Sequence, residues 1–262
     1  MKIYAYVEKG MGKAECQDRV LIGDTILAGG FLETEYEKDG NFLVAVADGV
    51  GGYKGGERAS LMVVDSIRVL NRRANLVEDD IKELMKRINM QLVKTGQMYP
   101  AYSSMATTLT ALVMNEEKAI SIHIGNCRMY SHRRYLKFIT KDHTRVAELV
   151  SRGEMTEEEA GVSPIRNQIN GCFGGNREEL FHKLQVEVQK EIMEQENNLV
   201  LTCDGIHDYI NEDEMEKILE EETTAYGVCK KMASLAREHG SEDDISIIII
   251  DRLKKYQNFE TL

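Results

Sequence analysis

Phe42–Ala47 form an uninterrupted apolar run, FLVAVA, and this run constrains the fold more than any other stretch of the chain. A strand with one face in water alternates apolar and polar residues, whereas a continuous run is typical of a strand buried on both faces. Residues 245–250, ISIIII, are nearly as apolar. The sheets that contain these strands therefore need cover on both sides.

Apolar residues recur at intervals of three and four over 59–70 and over 77–92, which predicts two amphipathic helices. Further strands are predicted at 3–7, 20–22, 107–114, 119–124, 127–132, 180–188 and 199–203, and further helices at 211–219 and 223–238. Blocks of strands alternate with pairs of helices, without a regular βαβ repeat. We therefore predict an α+β fold, a four-layer α-β-β-α sandwich with two antiparallel β-sheets flanked by helices.

Length and composition favour one compact domain over residues 1–262. The segment 145–176 is polar and only partly helical, since Pro164 and the glycines at 174 and 175 prevent one long helix, and we expect it to form a flap. A net charge of −11 argues against nucleic acid as a partner, because such affinity needs clustered basic residues.

The chain has no apolar stretch long enough to cross a membrane, and its 5 cysteines are scattered without a C-x-x-C pair. An odd number of scattered cysteines fits neither a disulfide framework nor a zinc site. We expect reduced thiols in a cytoplasmic protein with no membrane partner.

Aspartates stand at the ends of several predicted strands. Asp48 and Asp204 each follow an apolar strand and precede a glycine, Asp243 precedes the strand at 245–250, and Asp18 precedes the strand at 20–22. An isolated Asp-Gly pair after a strand is commonly only a turn. Several carboxylates together with a backbone carbonyl would instead make a hard oxygen site, which suits Mg²⁺ or Mn²⁺. The repetition of this context favours the metal site.

The order of motifs along the chain resembles the metal-dependent serine/threonine protein phosphatases of the PPM type, the protein phosphatase 2C family, in their compact bacterial form. The resemblance spans nearly the whole chain and rests on GKAECQDR, VAVADGVGGYKGGERAS, MATTLTALVM, IHIGNCRMY, FITKDHTRVAELVSRGEMTEEEA, SPIRNQINGCFGG, LVLTCDGIHDYI and GSEDDISIIII. Each motif alone is weak, but together they occur in the family's order.

The resemblance implies two Mn²⁺ or Mg²⁺ ions at one end of the sandwich, bridged by a water that attacks phosphorus. Asp48 matches the bridging aspartate and Gly49 the carbonyl ligand. Asp204 and Asp243 match the aspartates that complete one ion's ligands, and Asp18 matches the acidic residue near the second ion. The implied substrates are proteins that carry phosphoserine or phosphothreonine, including a serine/threonine kinase and its targets. We expect the protein to be a monomer.

Four departures from the family pattern affect the implied site. Lys13 stands where arginine usually binds substrate phosphate, and it is either a weaker phosphate ligand or only a solvated lysine. Cys16 replaces an asparagine and is interpreted as structural, because no activating base is evident nearby. Asn126 replaces the aspartate that serves a third ion, so binding of that ion is doubtful. Asp244, where asparagine is usual, is interpreted as a hydrogen-bonding turn residue.

Two alternatives to a protein phosphatase remain open at this stage. The substitutions at Lys13, Cys16 and Asn126 would suit a degenerate family member that binds a phosphoprotein with little turnover. A hydrolase of small phosphate esters on the same fold is the other, because fold and function are separable. Retention of Asp48, Asp204 and Asp243 favours the enzyme over the binding module.

Overall fold

The structure is a computed structural model and describes residues 1–36, 41–50, 55–73, 75–175, 178–194 and 197–256. The strands are β1 (Lys2–Glu8), β2 (Arg19–Ile22), β3 (Thr25–Leu27), β4 (Gly30–Glu35), β5 (Phe42–Ala47), β6 (Ala106–Thr107), β7 (Leu109–Met114), β8 (Ala119–Ile124), β9 (Arg128–His132), β10 (Leu136–Phe138), β11 (Phe173–Gly174), β12 (Gln185–Val188), β13 (Asn198–Thr202) and β14 (Ile245–Asp251). The helices are α1 (Gly56–Ile67), α2 (Glu78–Met98), α3 (Arg145–Ser151), α4 (Glu157–Gly161), α5 (Glu178–Phe181), α6 (Lys190–Glu194), α7 (Asp204–His207), α8 (Glu212–Glu221) and α9 (Ala225–Glu238).

Two large antiparallel sheets contain most of the strands. The first has the order β10-β9-β13-β14-β1-β4, and the second has the order β12-β8-β7-β5-β2-β3. A short pair, β11-β6, lies apart from both. Strand β5 is buried along its whole length, as its continuous apolar sequence predicts.

Three apolar cores separate four layers. Leu43, Ala45 and Ala47 of β5 pack with α1 and α2, whereas Val44 and Val46 pack with the first sheet. The outer face of the first sheet packs against α8 and α9. Alternate residues of β5 thus face a helix layer and a sheet layer, which explains why no position in it is polar. The predicted α-β-β-α sandwich is confirmed.

One predicted strand is wrong in its first half. The expected strand at 180–188 begins instead with α5, and only Gln185–Val188 are extended. Phe181 packs against Phe173 with ring centroids 5.3 Å apart, so the start of this segment closes the core beside β11. The helix predicted at 77–92 also continues further, to Met98.

Residues 144–175 contain the short helices α3 and α4. The Thr144 hydroxyl accepts a hydrogen bond from the Ala147 N–H at 3.2 Å and caps α3. Thr156 and Glu159 form a reciprocal capping box at the start of α4. A bridge between Thr144 and Ile169 closes the base of the segment. The last residue of the expected flap, Asn176, lies outside the described residues.

Candidate active site

Asp48 directly follows β5, and its main chain is held from two sides. Its N–H donates to Thr108 Oγ1 at 3.2 Å, and its carbonyl accepts from the Thr108 N–H and the Thr107 hydroxyl, both at 2.8 Å. The Gly49 N–H donates to the Gln17 carbonyl at 3.2 Å. The Asp48 carboxylate is therefore presented from a fixed backbone at the edge of the sandwich.

Gly49 is required by the close approach of the first turn of α1. A Cβ at this position would lie 2.5 Å from the Gly56 carbonyl carbon, a distance that no side chain tolerates. Gly55 begins the same helix in the left-handed region, with φ of +88°. Gly51 and Gly52 of the motif lie outside the described residues. The glycines at 49 and 55 thus allow the helix to start immediately beside Asp48.

Asp18 reaches the same place through strand register. Arg19 of β2 pairs with Ala47 of β5, so the next residues outward, Asp18 and Asp48, lie side by side. Asp18 Oδ2 accepts a hydrogen bond from the Ser246 hydroxyl at 2.6 Å, and Ser246 belongs to β14 of the other sheet. This contact ties the two sheets together at the acidic end of the sandwich.

Asp204 lies at the start of α7, just after β13. Its Oδ2 accepts a hydrogen bond from Asn126 Nδ2 at 2.9 Å. The next residue, Gly205, lies so close to the Asp244 carbonyl that no Cβ would fit. The first sheet therefore supplies Asp204 and Asp243 at the end where the second sheet supplies Asp18 and Asp48.

Asp243 and Asp244 precede β14 and share Lys13 as a partner. Lys13 Nζ contacts Asp243 Oδ1 and lies 3.0 Å from Asp244 Oδ2. Asp244 is buried and also accepts from the N–H groups of Gly10 at 2.7 Å and Gln17 at 2.8 Å. Its interpretation as a hydrogen-bonding residue is confirmed, and Lys13 is not a freely solvated lysine.

Burial and mutual repulsion disfavour the charged forms of Asp18, Asp48 and Asp204. Burial raises the pKa of Asp18 to about 6. Burial, reinforced by the negative charge of Asp243, raises the pKa of Asp204 to about 7. Burial and then the charge of Asp204 hold the pKa of Asp48 well above its ordinary value. A cation at this end of the sandwich would relieve the repulsion and restore the charged forms.

The donor set fits a hard divalent cation. The available atoms are carboxylate oxygens with a backbone carbonyl close by, and Asp18 Oδ1 is buried without a hydrogen-bond partner in the described part of the chain. As the side chains stand, no three His, Cys, Asp or Glu residues among those described are gathered into a ready metal site. Lys13, Asn126 and Ser246 instead each hold one of the carboxylates.

Cysteines and histidines are the other reactive side chains of the fold. All 5 cysteines are buried. Burial raises the pKa of the Cys16 thiol, which confirms a structural rather than a nucleophilic residue. His123 bonds Thr110 Oγ1 and the Lys141 carbonyl, both at 2.9 Å, and His207 bonds Thr202 Oγ1 at 2.8 Å. These histidines are hydrogen-bonded structural residues.

Sequence reasoning missed two residues that shape the site. Ser246 is the only polar residue in the apolar run of β14, an exception that could have marked it. Arg237 of α9 donates from Nη1 to the Asp243 carbonyl at 2.7 Å and from Nε to Glu8 at 3.3 Å, so it fixes the backbone of Asp243. No local pattern distinguishes this arginine from the other charged residues of α9.

A sandwich of two antiparallel sheets with acidic side chains from both at one end is the arrangement expected of a protein phosphatase of the 2C class. The family model described as protein phosphatase 2C matches residues 14–238. The chain belongs to this family, and the resemblance and the enzyme class predicted from the sequence are confirmed.

Named relatives agree with this assignment. The chain is 28% identical over 233 residues to the serine/threonine phosphatase stp of Listeria monocytogenes, which covers 86% of this chain and 88% of the relative. The crystal structure of the serine/threonine phosphatase Stp1 from Staphylococcus aureus superposes with a TM-score of 0.78 at 26% identity, covering 94% of this chain and 93% of that one.

A third comparison concerns the fold alone. The catalytic domain of the serine threonine protein phosphatase PstP, solved in complex with 2 manganese ions, has a TM-score of 0.72 at 24% identity and covers 95% of this chain and 98% of that one. None of these comparisons supports the alternative of a binding module without turnover.

Among the described residues, no helix is long and apolar enough to cross a membrane.

Proposed function

We propose that this phosphatase hydrolyses phosphoserine and phosphothreonine side chains of proteins with the help of Mn²⁺ or Mg²⁺. The observation that carries the proposal is the convergence of Asp18, Asp48, Asp204 and Asp243 from two facing sheets onto one end of the sandwich. Buried carboxylates that repel each other are costly to the fold, and a cation-binding role explains why they are kept together.

The proposed ligands follow from this geometry. Asp48, the Gly49 carbonyl, Asp204 and Asp243 would hold the ions, with Asp18 beside Asp48 on the second sheet. Divalent ions held there would supply charge against the phosphoryl oxygens and would acidify a water. Asn126 offers an amide in place of a third carboxylate at the edge of this set, which favours two ions over three.

Residues of the chain itself would bind and orient the substrate. Lys13 is in direct contact with the acids Asp243 and Asp244 and would contact the substrate phosphate. Val50 leaves no histidine directly after the Asp48-Gly49 pair to donate a proton. The leaving oxygen would therefore take its proton from water or from a group bound to one of the ions.

We propose that residues 1–262 form one catalytic domain with a flap at 145–176. A cleft of about 680 Å³ lies between α3, α4 and the edge of the acidic site. Its wall includes Val146 and Val150 from the flap side and Arg128 and Asp208 from the sandwich side. A cleft of this size beside the acids suits the residues that flank a phosphorylated side chain in a peptide.

The setting of the protein is also a prediction. Buried cysteines scattered along the chain fit a reducing compartment such as the cytoplasm. A serine/threonine kinase and its targets are the proposed sources of phosphoprotein substrate, and the monomeric state stays a prediction.

The test is phosphate release from a phosphothreonine peptide in Mn²⁺, Mg²⁺ or chelator, with Asp204→Asn beside the unchanged protein. Metal-dependent release that the substitution abolishes is the expected result. Bound Mn²⁺ by calorimetry without release from any of several phosphopeptides would contradict the proposal.

A further inference from the structure

Lys13 holds two carboxylates that differ in their surroundings. Its ammonium contacts Asp243 Oδ1 and lies 3.0 Å from Asp244 Oδ2. The Asp244 side chain is 1% exposed, whereas that of Asp243 is 43% exposed and that of Lys13 is 28% exposed. The lysine is therefore placed between a buried anchor and an acid that faces the open end of the sandwich.

Asp244 is a fixed anchor because its other contacts hold it in place. Oδ1 accepts from the Gly10 N–H at 2.7 Å, and Oδ2 accepts from the Gln17 N–H at 2.8 Å. Gly10 and Gln17 lie on either side of Lys13 in the chain, so Asp244 fastens the segment 10–17 on both sides of the lysine. Lys13 would keep this contact even if it lost Asp243.

The segment that carries Lys13 is also held close to the backbone of residues 242–243. The Met11 N–H donates to the Glu242 carbonyl at 2.9 Å. A Cβ at Gly10 would lie 2.6 Å from the same carbonyl oxygen, so the two chains are in direct contact there. The backbone on which Lys13 is carried is therefore held next to Asp243 and Asp244.

Asp243 has a competing use, because it is one of the acids proposed to hold a divalent cation. The oxygen that Lys13 contacts, Oδ1, also accepts from the Asp244 N–H at 2.7 Å. An ammonium and a divalent cation repel each other and compete for one carboxylate. Binding of the ion at Asp243 therefore favours movement of Lys13 away from it, and Asp244 is the partner that remains.

We propose that Lys13 is an exchangeable counter-ion of Asp243, which a divalent cation displaces onto Asp244 and thereby frees to bind phosphate. The inference rests on the proposed function, since it assumes an ion at Asp243. It makes metal binding and phosphate binding cooperative through one side chain, and by linkage each ligand must strengthen the other by the same factor. An uncharged residue at position 13 would remove both the competition and part of this cooperation.

The experiment measures Mn²⁺ binding by calorimetry, without any turnover, on the full chain and on Lys13→Met. We expect the Kd for Mn²⁺ in the absence of phosphate to fall about tenfold in Lys13→Met, equivalent to about 1.4 kcal/mol. Lys9→Met is the matched control, because Lys9 is exposed on the same segment and its replacement changes the net charge equally. Its Kd should stay within about twofold of the unchanged protein.

Inorganic phosphate titrated with and without saturating Mn²⁺ measures the cooperation. The factor by which Mn²⁺ strengthens phosphate binding should be smaller in Lys13→Met than in the unchanged protein. Lys13→Arg keeps the charge and should keep the Kd for Mn²⁺ near that of the unchanged protein, which separates loss of charge from loss of fold.

The outcomes distinguish the inference from the proposed function. Mn²⁺ binding that is lost in Asp204→Asn, yet equal or weaker in Lys13→Met, would overturn the role of Lys13 and leave the phosphatase site intact. Failure of the unchanged protein to bind Mn²⁺ at millimolar concentration would overturn the metal site and the inference with it.

Discussion

Asn126 donates its side-chain amide to Oδ2 of Asp204 at 2.9 Å, so a neutral residue orients an acid that also feels the negative charge of Asp243. Asn126 is itself buried, and its Oδ1 has no hydrogen-bond partner within the part of the chain that the structure describes. The amide therefore has one hydrogen-bonding partner and adds no further negative charge to the acidic site.

Asn126→Asp should destabilise the protein in chelator, and Mn²⁺ should restore its stability. The substitution replaces a donor by a second carboxylate against Asp204, and we expect the free energy of unfolding to fall by about 1–3 kcal/mol. Asn126→Ala loses the hydrogen bond without adding charge, so its free energy of unfolding should fall less. Denaturant unfolding with and without Mn²⁺ measures this, and equal stability of Asn126→Asp and the unchanged protein in chelator would contradict it.

Asp48→Asn should separate activity from stability. Phosphate release should fall about 100-fold or more, because the change removes a proposed ligand. In chelator the same variant should be more stable by about 1 kcal/mol, because a buried, repelled carboxylate becomes a neutral amide. Thermal unfolding checks the second effect, with Asp65→Asn on the exposed face of α1 as control; a less stable Asp48→Asn would show that the repulsion is unimportant.

Gly49→Ala should disturb the site through its backbone. The added Cβ would lie 2.5 Å from the Gly56 carbonyl carbon, so α1 or the Asp48-Gly49 peptide must shift. We expect a loss of about 1–3 kcal/mol in the free energy of unfolding together with weaker Mn²⁺ binding. Gly29→Ala, where a Cβ meets nothing within 4 Å, is the control. Unchanged Mn²⁺ affinity in Gly49→Ala would argue against the proposed carbonyl ligand.

His132 makes stability depend on pH away from the active site. Burial lowers its pKa to about 4, and neither ring nitrogen has a hydrogen-bond partner among the described residues. The unfolded chain takes up this proton near pH 6.5, well before the folded chain does, so stability is complete above pH 6.5 and falls as the pH drops toward 4.

Below pH 6.5, His132→Leu should reduce the change in the free energy of unfolding with pH by about 1 kcal/mol per pH unit. This slope is somewhat below the limit of about 1.4 kcal/mol per pH unit that applies to one fully buried group. Denaturant unfolding at intervals between pH 4 and 7 measures the slope in both proteins. His182→Leu, which replaces an exposed histidine, is the matched control. An unchanged slope in His132→Leu would assign the acid sensitivity to other groups.

A substitution in the wall of the cleft beside the flap should slow the hydrolysis of phosphopeptides but not that of small phosphate esters. Val150→Glu places a charge on an apolar part of the cleft wall, and we expect kcat/KM for a phosphothreonine peptide to fall about 10-fold. Hydrolysis of p-nitrophenyl phosphate should change little. Val162→Glu is the control, because Val162 belongs to the same segment, is 83% exposed and does not line the cleft. Equal losses on both substrates would contradict a peptide-binding role.

The sequence by itself determined the layers, the positions of the acids along the chain and most of the elements, although it did not predict β3, β4 and β10. Continuous apolar strands require cover on both faces, and helices with a period near 3.6 provide it. The expected strand at 180–188 failed because Leu180 and Leu184 have helical spacing, while Leu184, Val186 and Val188 alternate. A short apolar run of this kind satisfies both periods, and packing of Phe181 on Phe173 decided between them.

Only the tertiary structure decided which side chain each acid meets. Lys13 and Asp243 are 230 residues apart, Ser246 and Asp18 are 228 apart, and Asn126 and Asp204 are 78 apart. Local periodicity carries no information about such pairs. They depend on strand register within each sheet and on how the two sheets face each other, and these are set by the packing of the whole core.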